Sequence, residues 1–350
     1  KNKQSILDVS LSSMASHPQY GTWLGTPRGV SKKVDLVDVF STFVLGYPGI
    51  EKLFVDKNNN LWCSSETGLH QFDDSGTTSR NFVSDPTDVN TLISNESGPF
   101  LIDNQRNVIW VASKFSGLSK VELGFDLRTG KEFVTKQKVK RFVYSKEDNN
   151  TVLDGGINEM YLDKEGNVFL SFKDGVVIIN DDGLQRHEFS DQIGNYHVSD
   201  ISSFIETGAG WFWVGSKKHG LYRLDKNKMS VIKHYTLDKT NKQSFSSSVV
   251  FTLYEDKNNS LWVGTGGDGL YKYNPKSDGF IRYTIADGLP SNTILTLQED
   301  NTGQLWIGTR NGLSRLNVEN PAFTNFGATD GMEHRIFKQN CFTKNKEGGI

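Results

Sequence analysis

The chain has 350 residues, 36% of them hydrophobic and 23% charged, which is enough apolar mass for one large domain or two to three small ones. Its 39 basic and 41 acidic residues leave a net charge of -2, which speaks against a globally basic nucleic-acid or anionic-membrane binder. Two cysteines, Cys63 and Cys341, exclude a disulfide-rich scaffold and a cysteine-based zinc site, and both lie in apolar runs that read as strands with buried thiols.

Read in chain order, one pattern recurs. A short apolar run ends in an acid, a polar turn follows, and an anchor strand then carries an aromatic residue. A glycine-containing turn leads to a third strand, and a more variable fourth run closes the unit. The first unit, 1–49, is the least regular, with SILDVSLSSM before TWLGTPRG. The second, 50–94, reads EKLFVD, KNNN, LWCSS and GLHQFD. The third, 95–155, carries Trp110 and a long insertion over 122–150, basic between Lys131 and Lys146, which is expected to lengthen an outer hairpin. The fourth, 156–200, reads NEMYLD, KEGN, VFLSF and GVVIIN. The fifth, 201–250, holds Trp213 and VIKHYT, and the sixth, 251–294, reads FTLYED, KNNS, LWVGT, GLYKYN and GFIRYT. The seventh, 295–340, reads LTLQED, NTGQ, LWIGT, GLSRLN and AFTNFG, and 341–350 is expected to start a further unit or to close a ring.

The anchors are Trp23, Trp62, Trp110, Phe169, Trp213, Trp262 and Trp306, spaced 39, 48, 59, 44, 49 and 44 residues apart. Six of the seven tryptophans are therefore in register, and Trp211 lies two residues before Trp213, on the same side of an extended strand. Four short antiparallel strands per unit of ~40–50 residues describe a propeller blade. The expected fold is an all-β propeller of four-stranded antiparallel blades, seven in number, over 1–350 as a single domain, with eight blades or a broken ring as alternatives. The anchors are expected to pack blade on blade, since one Trp buries ~200 Å². No apolar run approaches the ~18 residues of a membrane span, and KNKQSILDVS has no signal-peptide core. Because the chain stops at KEGGI inside a repeat, it reads as a piece of a longer protein.

The stretch LWVGTGGDGLYKYNPKSDGFIRYTIADGLPSNTILTLQEDNTGQLWIGTRNGLSRLN, residues 261–317, resembles the two-component regulator propeller repeat. The resemblance is strong over 201–317, looser at 50–73, 105–123 and 157–180, and weak over 1–49. It implies the periplasmic sensor region of a hybrid two-component histidine kinase, anchored in the inner membrane and detecting an oligosaccharide released from a polysaccharide. Neighbouring propeller and β-sandwich domains, a homodimer, and signalling across the membrane through C-terminal modules are implied with it. The chain itself carries no kinase residues, so it is expected not to be an enzyme.

If every blade repeats one path, the turns after the anchor strands share a face. The first position of each is Pro27, Glu66, Lys114, Lys173, Lys217, Gly266 or Arg310, with Arg28, Lys218 and His219 close by. Such a ring would form a positive collar for carboxylated or sulfated sugars; the plain reading of the same residues is a set of solvated turns. Asp268 lies in the same turn of the sixth unit. Tyr47, Phe115, Tyr196 and His197 are loop aromatics that could stack on sugar faces, their plain reading being inter-blade packing. Asp56, Asn58 and Asn60 alternate like the opening of a calcium loop but lack its twelfth-position acid, so they read as a hairpin turn and no metal or cofactor is expected. The seven histidines show no HxxxH spacing, and no GxSxG elbow, phosphate loop or nucleic-acid stripe is present. A propeller enzyme acting on polysaccharide through carboxylates from two blades, and a protein-interaction scaffold, are the alternatives to a sensor.

Overall fold

The computed structural model describes residues 10–11, 13–17, 21–26, 29–34, 39–43, 50–56, 60–72, 78–123, 138–143, 156–172, 175–180, 183–187, 199–236, 243–300, 302–327, 330 and 336–337. For those before residue 50 the backbone alone is described. The molecule is built from four-stranded antiparallel sheets whose strands follow chain order, so each sheet is a meander. Six form blades with described packing. Blade A spans Lys52–Val55, Leu61–Ser65, Gly68–Phe72 and Thr78–Phe82. Blade B spans Ser97–Asp103, Val108–Ser113, Gly117–Glu122 and Lys138–Phe142. Blade C spans Glu159–Leu162, Val168–Phe172, Gly175–Asn180 and Gly183–His187. Blade D spans Ile201–Glu206, Phe212–Ser216, Gly220–Asp225 and Ser230–Tyr235. Blade E spans Val250–Glu255, Leu261–Thr265, Leu270–Asn274 and Gly279–Tyr283. Blade F spans Ile294–Glu299, Gln304–Thr309, Gly312–Asn317 and Ala322–Phe326.

The structure thus gives six described blades, which corrects the expectation of seven, or of eight, drawn from counting anchors. Around Trp23, strands Ser13–His17, Gly21–Thr26, Gly29–Val34 and Val39–Phe43 do pair into a four-stranded sheet. Only the backbone of this sheet is described, and its first strand lies beside the first strand of blade A. The two ends of the chain also meet. Ser10 pairs with Ile336 and Leu11 with Phe337 in a parallel two-residue sheet, which lies against the strand carrying Trp306. The rest of the tail, 338–350, and 124–137 and 144–150 of the long insertion lie outside the described residues; Lys138–Phe142 is the outer strand of blade B.

Two devices repeat within the blades. The first is the acid that follows the inner strand in blades A, E and F. Asp256 Oδ1 accepts the Ser260 amide at 2.9 Å while Oδ2 accepts the Trp262 indole N–H at 2.8 Å. Asp56 does the same for Asn60 and Trp62, and Asp300 for Gln304 and Trp306. One buried carboxylate therefore closes the turn and fixes the ring of the anchor, which is why the acid and the tryptophan recur six residues apart. At Asp56 both carboxylate oxygens are taken by Asn60 and Trp62, while Asn58 lies outside the described residues.

The second device lies across the sheet. Trp110, Trp213, Trp262 and Trp306 pair in register with Lys120, Arg223, Lys272 and Arg315. Their charged groups sit 5.6, 5.7, 5.1 and 5.5 Å from the ring centroids. Each cation lies over an indole, and Arg223 in addition turns inward to the Tyr273 hydroxyl at 3.3 Å and to Asp278 at 3.6 Å. Phe169, the one anchor that is not Trp, faces Ile178 instead.

Anchors pack on the next blade. Trp62 joins Phe100 and Ile109 of blade B, Trp110 joins Met160 and Leu170 of blade C, and Phe169 joins Ile201 and Val214 of blade D. Trp213 joins Leu253 and Val263 of blade E, and Trp262 joins Leu297 and Ile307 of blade F. Glycine at Gly264 is what permits this closeness, because a Cβ there would meet Ile294 of the next blade at 2.8 Å.

Candidate functional site at the mouth of the ring

Every inner strand starts beside the end of its anchor strand. Lys52 pairs with Ser64, Ser97 with Ser113, Glu159 with Ser171, Ile201 with Ser216, Val250 with Thr265 and Ile294 with Thr309. The turns after the anchor strands therefore share one end of the ring with the starts of the inner strands. These turns are held alike by a hydroxyl: Ser113 Oγ accepts the Ser116 amide at 3.1 Å, Ser216 Oγ the His219 amide at 3.1 Å, and Thr265 Oγ1 the Asp268 amide at 3.0 Å. A constant backbone thus presents variable side chains.

Charged groups gather here on blades A to D. Lys52 Nζ bonds Glu159 Oε1 at 3.3 Å, with the two side chains 9% and 12% exposed. Lys52 belongs to blade A and Glu159 to blade C, so this pair reaches past blade B. Lys114 Nζ lies 2.7 Å from Glu51 and 4.0 Å from Glu66, and Lys218 Nζ lies 2.9 Å from Asp200. Lys217 is half-buried. Burial lowers its pKa, an effect partly offset by the nearby charges of Glu159 and Asp200. Phe115 projects from the Lys114 turn with 83% of its surface exposed.

The other predicted site residues fall as follows. Asp268 turns back onto its own blade, accepting Arg282 through both its carboxylate at 3.3 Å and its carbonyl at 2.6 Å. Arg310 is exposed on the blade F turn, its amide bonded to the Thr293 carbonyl at 3.0 Å. The His219 carbonyl lies 2.6 Å from His234 Nε2, so the histidine backbone stitches its own blade. Arg28, Lys173, Tyr47, Tyr196 and His197 lie outside the described residues. The collar read from the turns alone therefore lacked its carboxylates, Glu51, Glu159 and Asp200, which come from the inner-strand starts. A signal for them was present in the sequence. Blades D to F begin their inner strands with Ile201, Val250 and Ile294, whereas blades A to C begin theirs with Lys52, Ser97 and Glu159.

Because Lys114 and Glu51 are both partly solvated, their pair is a weak one. Lys114→Ala is expected to change unfolding free energy by about 1 kcal/mol or less in a urea titration. A larger loss would mean that the mouth carries the ring's stability as well as its charge.

Comparison with known proteins fits this geometry. The two component regulator propeller model matches residues 244–267 and 288–311. These segments are two-component regulator propeller repeats. Each runs from the approach to an inner strand through the anchor of blades E and F and into the turn after it. A histidine kinase of Formosa agariphila, Histidine kinase P4, is 24% identical over 328 residues, covering 81% of this chain and 24% of that protein. Among solved structures, the extracellular domain of a putative hybrid two component system of B. thetaiotaomicron superposes with a TM-score of 0.50 at 16% identity, over 93% of this chain and 50% of that one. PorZ, a surface component of the type-IX secretion system of Porphyromonas gingivalis, gives a TM-score of 0.62 at 17% identity over 89% of this chain and 46% of that one. Virginiamycin B lyase of Staphylococcus aureus gives 0.59 at 11% identity over 90% and 92%. At these identities the structural likeness establishes the propeller fold. The chain spans about half the length of the B. thetaiotaomicron ectodomain and a quarter of the kinase. No helix among the described residues is long and apolar enough to cross a membrane.

Proposed function

We propose that this regulator propeller is the extracytoplasmic ligand-sensing domain of a periplasmic two-component sensor, and that its mouth reads an oligosaccharide derived from a polysaccharide. The observation that carries the reading is Phe115. A large aromatic ring held 83% in water, one residue from a lysine that lies 2.7 Å from Glu51 and 4.0 Å from Glu66, has no packing role to explain it. Sugars offer apolar ring faces to such an aromatic and hydroxyls to the adjoining charges. Ligand bound across blades A to D would favour one arrangement of the mouth, and modules elsewhere in a longer chain would read that arrangement.

Calorimetry against a panel of oligosaccharides, run beside an assay for product formation, tests this. Binding without turnover is expected, with Phe115→Ala weakening it by up to about tenfold. Turnover would replace the sensor with a polysaccharide-acting enzyme, and no binding to any glycan would leave a protein scaffold.

A further inference from the structure

We infer that the seam between blades A and B is the specificity subsite of the mouth, and that the hydroxyls of Ser64 and Ser97 receive there a neutral hydroxyl group of the ligand. This deepens the sensor reading and rests on it for the carbohydrate part. Other seams show what ordinary packing looks like at this place. Two residues after its anchor, blade D has Gly215 and blade E has Gly264. The next inner strands begin opposite them with Val250 and Ile294, and a Cβ on either glycine would meet those side chains at 2.5 and 2.8 Å. A glycine under an aliphatic side chain therefore closes each of those seams without polar groups. Between blades A and B both places are serine. Ser64 stands two residues after Trp62, on the strand face that packs against blade B. Ser97 begins the inner strand of blade B, paired with Ser113 as Val250 is with Thr265.

Both serines are 0% exposed, and neither hydroxyl has a hydrogen-bond partner among the described residues. At other seams buried hydroxyls are used: Ser202 donates to the Val250 carbonyl at 2.6 Å, and Ser203 accepts the Leu253 amide at 3.1 Å. Two unmade buried hydroxyls destabilise a seam that a glycine and a valine would close, so packing does not account for them. Their cover is weak. One residue nearer the mouth on each strand, Glu51 and Lys114 join blades A and B at 2.7 Å, with both side chains partly solvated. A ligand that parts this pair reaches the two serines, and Phe115, next to Lys114, is placed to hold its sugar ring. A serine hydroxyl both donates and accepts, which matches a ligand hydroxyl. The ammoniums beside the seam do not call for an anion, because Lys114 faces Glu51 and Lys52 bonds Glu159.

The test rebuilds the seam on the pattern of blades D and E. Ser64→Gly together with Ser97→Val, in the whole chain, is expected to keep or raise the urea midpoint, since two unmade hydroxyls are removed. Galactotriose, maltotriose, xylotriose and the small polyol glycerol are titrated against both proteins. Glycerol and at least one trisaccharide are expected to move the Ser64 and Ser97 amide resonances of the unaltered chain. That trisaccharide should bind the double variant about tenfold or more weakly. Equal affinity for both proteins would keep the sensor reading and overturn this inference. A response to glycerol with no trisaccharide bound would keep the hydroxyl subsite and remove the support for a carbohydrate. A lower urea midpoint in the double variant overturns the inference, because the serines would then be structural. Silence of both amides toward every probe overturns it too, as does a long-lived water beside them that no probe displaces, which would make the seam a buried-water site only.

Discussion

Trp262→Ala is expected to lower unfolding free energy by about 3–5 kcal/mol, read from the midpoint of a urea titration. The ring is 1% exposed and sits among Leu289, Ile294 and Leu297, so its removal opens a cavity between blades E and F. Two further losses follow. Asp256 Oδ2, buried with the rest of its side chain, loses its indole donor, and Lys272 loses the ring its ammonium covers. Trp262→Phe separates these effects. It keeps most of the buried area but not the N–H, and is expected to cost about 1–3 kcal/mol, the penalty for an orphaned buried acceptor. Trp262→Phe together with Lys272→Ile should cost less than the sum of the two single changes, because blade C already uses Phe169 opposite Ile178. Strict additivity would show that the cross-strand pairing is incidental.

The same comparison shows what was legible in the sequence. The anchor, its acid and its turn could be read because one physical problem, burying a sheet face on its neighbour, has the same solution in blades A, E and F. Trp211 was placed on the same side as Trp213, and Arg223 does stack against it at 4.3 Å while also facing Trp213. What could not be read was partnership across blades. Lys52 and Glu159 are 107 positions apart, and no local period links them. The turn lysines were visible one at a time, but their counter-ions lay on inner strands, where Glu159 reads as one more polar residue before an apolar run. Blade number was counted from anchors, and the first anchor, Trp23, does mark a four-stranded sheet, but the packing of that sheet lies outside the described residues.

Lys226→Met is expected to be comparably damaging, at about 3–5 kcal/mol, although no Trp anchor is touched. In blade C, Phe169 leaves Asp163 without an indole donor. Asp163, fully buried, instead accepts the Asn167 side chain at 2.8 Å and Lys226 Nζ, from the turn of blade D, at 3.0 Å. Lys226 also bonds Glu206 at 3.1 Å and Glu165, so one ammonium bridges three carboxylates at the junction of two blades. Burial pushes the Asp163 carboxyl up, but the hydrogen bonds from Asn167 and Lys226 outweigh it and hold the group below the usual carboxylate range. Because the folded pKa lies below the unfolded one, this contribution is fully present above about pH 4 and is lost as pH falls through the folded value. Lys226 is held well above the ordinary lysine range, burial opposing its three carboxylate partners, so its own contribution persists through neutral pH and is lost only in strong alkali. Methionine keeps the length of the stem and removes the charge. Asp163 then remains buried with Asn167 alone, its pKa should rise, and the acid limb of the stability curve should move to higher pH. An unchanged acid limb would mean that Asn167 and water suffice for Asp163, and that blades C and D are held together by the Phe169, Phe204 and Phe212 ring cluster without help from Lys226.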